Sequence, residues 1–309
     1  MRAAACALAA LMTLAALVYA DAARAQFDLS GNWVGESSED PLEHTAGGYP
    51  DMFAGIPVNE NGRQAGLTAP GDVMQELNRQ CEPWPAHYLL IGPWGGRFAA
   101  LRDAAGQVIA WTLSSPAYDR LPMTIWMDGR SPPPALSLHT YAGYSVGRWE
   151  GDTLVISTSL LKDGYLLDNG MPSSNRETDT FFLTRYGDEM TIMLVVNDPV
   201  YLEAPFVSAR TMKLVGGLSD VNDPILYCMP AETIEGFTDG YHSAIQLPPK
   251  EAAQRTYLQG IYRLPPVATD GGARTMYPQF AKQLVGYKPP DCKLYCAQNR
   301  RVPEDAISR

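Results

Sequence analysis

Histidine is scarce in this chain, which has only His44, His87, His139 and His242. A histidine-rich metal centre would need several of these scattered residues to meet in space, so the sequence leads us to expect no metal and no cofactor. A calcium site built from scattered Asp and Asn oxygens would leave no visible spacing. The motifs that announce common chemistries are also missing: there is no Gly-x-Ser-x-Gly elbow, no His-Glu-x-x-His, no phosphate loop and no dinucleotide fingerprint. Positive charge is in deficit, with 24 basic against 34 acidic residues and a net charge of −10. Such an acidic body repels nucleic acid and anionic membrane surfaces, which argues for a small-molecule ligand and against a nucleic-acid partner. No Gly/Ser-rich or charged linker divides the chain, and no internal repeat splits it.

What is present begins with Met1-Arg2, an apolar run over 3–20 and Ala23-Arg24-Ala25. A charged start, an apolar stretch and an A-x-A site predict a secretory signal peptide over 1–25 and a periplasmic or secreted protein. Cleavage would remove Cys6, Arg2, Arg24 and Asp21, leaving 22 basic and 33 acidic residues and a net charge of −11. Four cysteines remain: Cys81, Cys228, Cys292 and Cys296. An even number in an exported chain predicts disulfides, and four cysteines allow three pairings. The matched Cys-x-Pro settings favour Cys81 with Cys228, leaving a local Cys292–Cys296 bridge, with zinc as the alternative for that last pair.

The stretch 141–206 carries two hairpin signatures. Residues 141–149 and 153–160 flank Glu150-Gly151-Asp152, while 181–186 and 190–196 flank Gly187-Asp188-Glu189. Leu154, Ile156 and Leu160 recur at the period of two that lines one face of a strand. Further strands are predicted near Trp33 and over 87–91, 97–101, 107–113, 123–127 and 206–214, about ten in all. Residues 37–70 read as a long polar excursion, and short helices are predicted over 72–79 and 250–259. The expectation is a mostly β protein: an antiparallel barrel or sandwich over 26–216, lipocalin-like, with an irregular proline-rich extension over 217–309 packed on it.

Gly147-Arg148-Trp149-Glu150-Gly151-Asp152-Thr153-Leu154-Val155, preceded by Met127-Asp128-Gly129-Arg130, stands before Asn169-Gly170, Ser174 and the run from Asp198-Pro199-Val200-Tyr201-Leu202 to Glu203-Ala204-Pro205-Phe206. This ordered set resembles a family of exported bacterial proteins of about this length. The likeness runs from the Leu29-Ser30-Gly31-Asn32-Trp33 segment to about Leu214 and implies no particular reaction. Where many relatives carry Gly-His-Ser, this chain has Gly143-Tyr144-Ser145, so chemistry resting on that histidine has no counterpart here.

The candidate site gathers on the connections between strands, which meet at the mouths of a barrel. Tyr165, Asp168, Tyr201, Glu203 and His139 are the candidates for acid/base work, and Arg130, Lys162, Asn169, Ser174 and Asp198 for holding a ligand. Each has a structural alternative: Asp198 can cap a turn, Tyr201 can plug the barrel end, Arg130 and Arg148 can form ion pairs, and His139 can be a satisfied structural group. Glu150 and Asp152 are paired carboxylates that fit a hairpin turn first. The short turns and the longer connections should fall at opposite ends of the barrel, with function at the latter. Two functions fit: an enzyme performing cofactor-independent elimination, isomerisation or hydrolysis on a small, partly apolar molecule, or a non-catalytic carrier or envelope-accessory protein.

Overall fold

The computed structural model describes residues 26–36, 53, 55–68, 83–91, 95–115, 122–167, 171–216 and 271–282. The signal peptide expected over 1–25, the helices expected over 72–79 and 250–259, all five cysteines, Asp168 and Asn169, and all of the extension expected over 217–309 except 271–282 lie outside these residues. Nine strands close into a barrel: β1 (Gly31–Gly35), β2 (Gly96–Arg102), β3 (Val108–Ser114), β4 (Met123–Trp126), β5 (Tyr144–Glu150), β6 (Thr153–Ser159), β9 (Thr178–Tyr186), β10 (Glu189–Asn197) and β11 (Phe206–Val215). Around the ring they run β1-β11-β10-β9-β6-β5-β4-β3-β2. A small hairpin, β7 (Gly164–Tyr165) with β8 (Pro172–Ser173), stands between β6 and β9 in sequence.

The mostly β, closed-barrel expectation holds, with one change of direction. β4 and β5 pair in parallel, Ile125 opposite Ser145, so the barrel is mixed rather than wholly antiparallel. Parallel neighbours need a connection that returns along the barrel, and 127–143 with its three prolines supplies it. Nine strands with a parallel pair limit the likeness to an eight-stranded up-and-down lipocalin to closure itself.

Period-two alternation builds the interior. On β9, Asp179, Phe181 and Leu183 are buried while the residues between them are not, and on β10 Met190, Ile192, Leu194 and Val196 do the same. All of these except Asp179 join Trp33, Phe98, Trp111, Leu113, Met123, Ile125, Leu154, Ile156 and Met212 in one continuous apolar core. The buried Trp33 indole keeps its polar handle satisfied by donating to the Leu29 carbonyl at 2.8 Å.

Register fixes the two ends. Glu150 faces Thr153, Tyr186 faces Glu189, and Thr153 faces Thr184, so both tight turns sit at one end, where Gly151 and Gly187 adopt φ of 66° and 59°. The turn between β2 and β3 falls at that end too. The other end receives the longer connections. There α2 (Ala86–Ile91) sits with Ala86, His87, Tyr88, Leu89 and Leu90 buried, in place of the strand expected over 87–91. A five-residue apolar run cannot distinguish the two states by periodicity, and the preceding Pro83 and Pro85 favour a helix start.

The excursion over 37–70 also contains a helix, α1 (Glu60–Thr68). Asn59 caps it, its side-chain oxygen accepting the Gly62 N–H at 2.9 Å. Asn59 also donates to the Val200 carbonyl, and Val58 bridges to Leu202, tying this segment to the turn after β10. Residues 271–282, with a 3-10 turn at Ala273–Met276 and α3 at Pro278–Ala281, join the same region, Gly272 donating to the Ile56 carbonyl and Phe280 buried. Among the described residues no helix is long and apolar enough to cross a membrane.

Candidate functional site

The inward row of β9 is apolar at Leu183 and Phe181 and then turns ionisable at Asp179, opposite Thr158 on β6 and Val196 on β10. Two residues earlier, before the strand begins, Glu177 is also buried, its N–H donating to the Ser174 carbonyl. Helix α2 brings His87 against them. Its Nδ1 lies 2.9 Å from Glu177 Oε1 and 3.6 Å from Asp179 Oδ2, and all three side chains have an exposure of 0 or 1%. Burying three ionisable groups beside a hydrocarbon core is costly, and a fold retains such a cluster only where charges or protons are matched.

The position of His87 is set from both ends of its helix. Its Nε2 donates to the Leu166 carbonyl at 3.1 Å, which leaves Nδ1 facing the carboxylates. At the far end, Arg210 reaches in from β11 and donates through Nη1 to the Ile91 carbonyl at 2.7 Å, a cation against a helix C-terminus. Trp84 stacks on Tyr88 at 4.2 Å and Tyr165 closes over them at 6.4 Å, covering the helix from outside.

The three groups are close but not aligned. His87 Nδ1, both Glu177 oxygens and both Asp179 oxygens lack a well-directed hydrogen bond, although Nδ1 and Glu177 Oε1 are at contact distance. The contact is one of charge and proton sharing. Burial alone would lower the His87 pKa, but the charge of Glu177, then hydrogen bonding to Asp179 and Glu177 and last the charge of Asp179, outweigh it and raise the ring to about 10. Burial, followed by the charge of Asp179, raises Glu177 to about 8 against the pull of His87.

Beside this cluster, Ser145 and Thr158 share a buried hydroxyl bond of 2.8 Å. Asp198, also buried, accepts from the Ser174 N–H at 2.7 Å, the Ser174 hydroxyl at 2.8 Å and the Val200 N–H at 2.8 Å. This ties the turn after β10 to the segment that carries Glu177. Asp198→Ala strands these buried donors, and urea denaturation should show a loss of about 2–3 kcal/mol.

The other predicted residues are distributed unevenly. Tyr201, half-buried at this end, has its hydroxyl pKa raised by burial and by the charges of Asp163 and Asp198. Glu203 is exposed and accepts the Ala273 N–H at 2.6 Å, anchoring 271–282. His139 is half-buried, its Nδ1 2.7 Å from the Leu161 carbonyl, and the Lys162 ammonium stands 5.2 Å from the Tyr141 ring. Arg130 lies on the outer wall, 3.5 Å over the Trp126 ring and bonded through Nε to Asp128 at 2.8 Å. The structure thus brings Ser174, Asp198, Tyr165 and Tyr201 to the His87 end and leaves Arg130 on the outside. Sequence reasoning missed His87, Glu177 and Asp179. The signal for Asp179 was present: it shares the period-two face of Phe181 and Leu183.

The chain matches no protein-family model, no curated protein and no solved structure.

Proposed function

We propose that this is an exported, periplasmic or secreted protein that binds a small, partly apolar molecule at the His87 end of its barrel. We propose further that it performs acid/base chemistry of the elimination, isomerisation or hydrolysis class there. One observation carries the reading. The inward face of β9, apolar at Leu183 and Phe181, becomes ionisable at one end, where Asp179 joins Glu177 and His87. Apolar walls beside a few convergent polar groups suit a ligand of mixed character, and a carrier needs no buried carboxylates for that task. The second reading is a non-catalytic carrier or envelope-accessory protein that holds its ligand at the same end without turnover.

A thermal-shift screen of the protein against aromatic, terpenoid and saccharide libraries, followed by mass spectrometry for turnover, tests the reading. A binding compound should raise the melting temperature. Tyr201→Phe should weaken that compound about tenfold or more, about 1.4 kcal/mol. Glu150→Gln, in an exposed turn at the opposite end, should leave binding unchanged. The reverse ranking, with unaltered circular dichroism, would place the site at the wrong end.

A further inference from the structure

We propose that His87 Nδ1, Glu177 and Asp179 form a binding site for a first-row divalent transition ion such as Zn2+ or Mn2+. The sequence led us to expect no metal, because the ligands lie far apart along the chain and only one is a histidine. Folding brings one atom of each within 4.8 Å of the others. A cation bonded at about 2.1 Å would hold neighbouring donors about 3–3.5 Å apart, so the side chains need only close in slightly.

Four observations point to a cation. The first is the orientation of the ring. His87 Nε2–H is committed to the Leu166 carbonyl, so Nδ1 is the nitrogen that faces the carboxylates. It carries a proton towards them in the metal-free protein and offers its lone pair to a metal once that proton leaves. A histidine ligand held through its other nitrogen by a carbonyl is the usual outer arrangement around a metal.

The second is the set of buried polar atoms without a directed partner: Nδ1 and the four carboxylate oxygens lack one, and one atom of each residue lies within 4.8 Å of the others. The third is charge. Two carboxylates and a neutral imidazole carry −2, which one dication cancels in place of the two protons that the metal-free cluster holds at neutral pH. The fourth is donor type. One imidazole with two carboxylates suits zinc, manganese or ferrous ion, while calcium prefers six to eight oxygens. Binding replaces the protons of the cluster, which leave to solvent, so affinity should rise with pH.

The inference shares residues with the proposed function but does not depend on any small molecule. The purified full chain, carrying no histidine tag, is treated with chelator, equilibrated with ZnCl2 or MnCl2, passed through gel filtration and analysed for metal. Retention of about one ion per chain and a raised melting temperature are expected, with CaCl2 and MgCl2 giving neither. Glu177→Gln and Asp179→Asn should each lower affinity at least tenfold, while Glu150→Gln should not. Should the buried variants fail to fold, X-ray absorption at the zinc edge of the wild-type protein decides. One imidazole with oxygen ligands supports the site. Sulfur ligation, which would indicate the cysteines, overturns it, as does the absence of retained metal or metal retained equally by the folded variants. Metal without small-molecule binding would defeat the proposed function alone, and small-molecule binding without metal would defeat this inference alone.

Discussion

His87→Leu should destabilise the protein by about 3–5 kcal/mol at neutral pH, because it leaves Glu177 and Asp179 buried together with no cation between them. The loss should shrink as the pH falls and the Glu177 carboxyl takes up its proton. Denaturant midpoints at several pH values measure both. The informative companion is the triple variant His87→Leu, Glu177→Met, Asp179→Leu. Replacing a complete buried ionic cluster by apolar groups of similar size is often neutral or stabilising. If the cluster is kept for function, the triple variant should be at least as stable as wild type while the single variant is crippled. A triple variant as weak as the single would mark the cluster as a structural staple.

The same groups give the chelator-treated wild type a pH dependence of definite sign. Both His87 and Glu177 have folded pKa values above their ordinary ones, about 10 against 6.5 and about 8 against 4.5. Their contribution is complete below the lower value of each pair and is lost as the pH rises through the upper one. Stability should therefore decline from about pH 5 towards pH 10, tracking first Glu177 and then His87. Thermal melts across that range that stay flat or rise would contradict the proton sharing described for the cluster.

The second large effect is expected from Phe181→Ala. Phe181 is fully buried on β9, faces Ile156 on one side and Leu194 on the other, and shares its face with Asp179. Truncation removes a ring from the floor beneath the cluster and should lower stability by about 3–5 kcal/mol. The cavity adjoins polar groups, so water can enter it. A loss below about 1 kcal/mol in equilibrium denaturation would mean that the ring does not fill the barrel as described.

How far the sequence could be read differs between strands and site for physical reasons. The strands on either side of Glu150-Gly151-Asp152 and Gly187-Asp188-Glu189 were legible because alternation and turn chemistry are local, and the placement of both turns at one end followed from them. The parallel pairing of β4 with β5 was not legible, since nothing in Met123–Trp126 records which neighbour it will find. Helix α2 was mistaken because burial on all sides erases the period that separates helix from strand. The polar connections containing Tyr165, Ser174, Asp198 and Tyr201 did meet at one end, as loop length suggested. The cluster itself escaped because its members come from a helix read as a strand and from residues just ahead of a strand whose start was placed at Phe181. Each looked like an isolated polar residue, and only the fold brings His87 across to residues 177–179.

The central claim, that the His87 end is the working end, is tested most directly by hydrogen–deuterium exchange with the best compound from the screen, bound and free. The account predicts slowed exchange over 85–91, 172–179 and 198–202 on binding, with the turns at 103–106, 151–152 and 187–188 unchanged. Protection confined to those turns, with none around His87, Glu177 and Asp179, would contradict it.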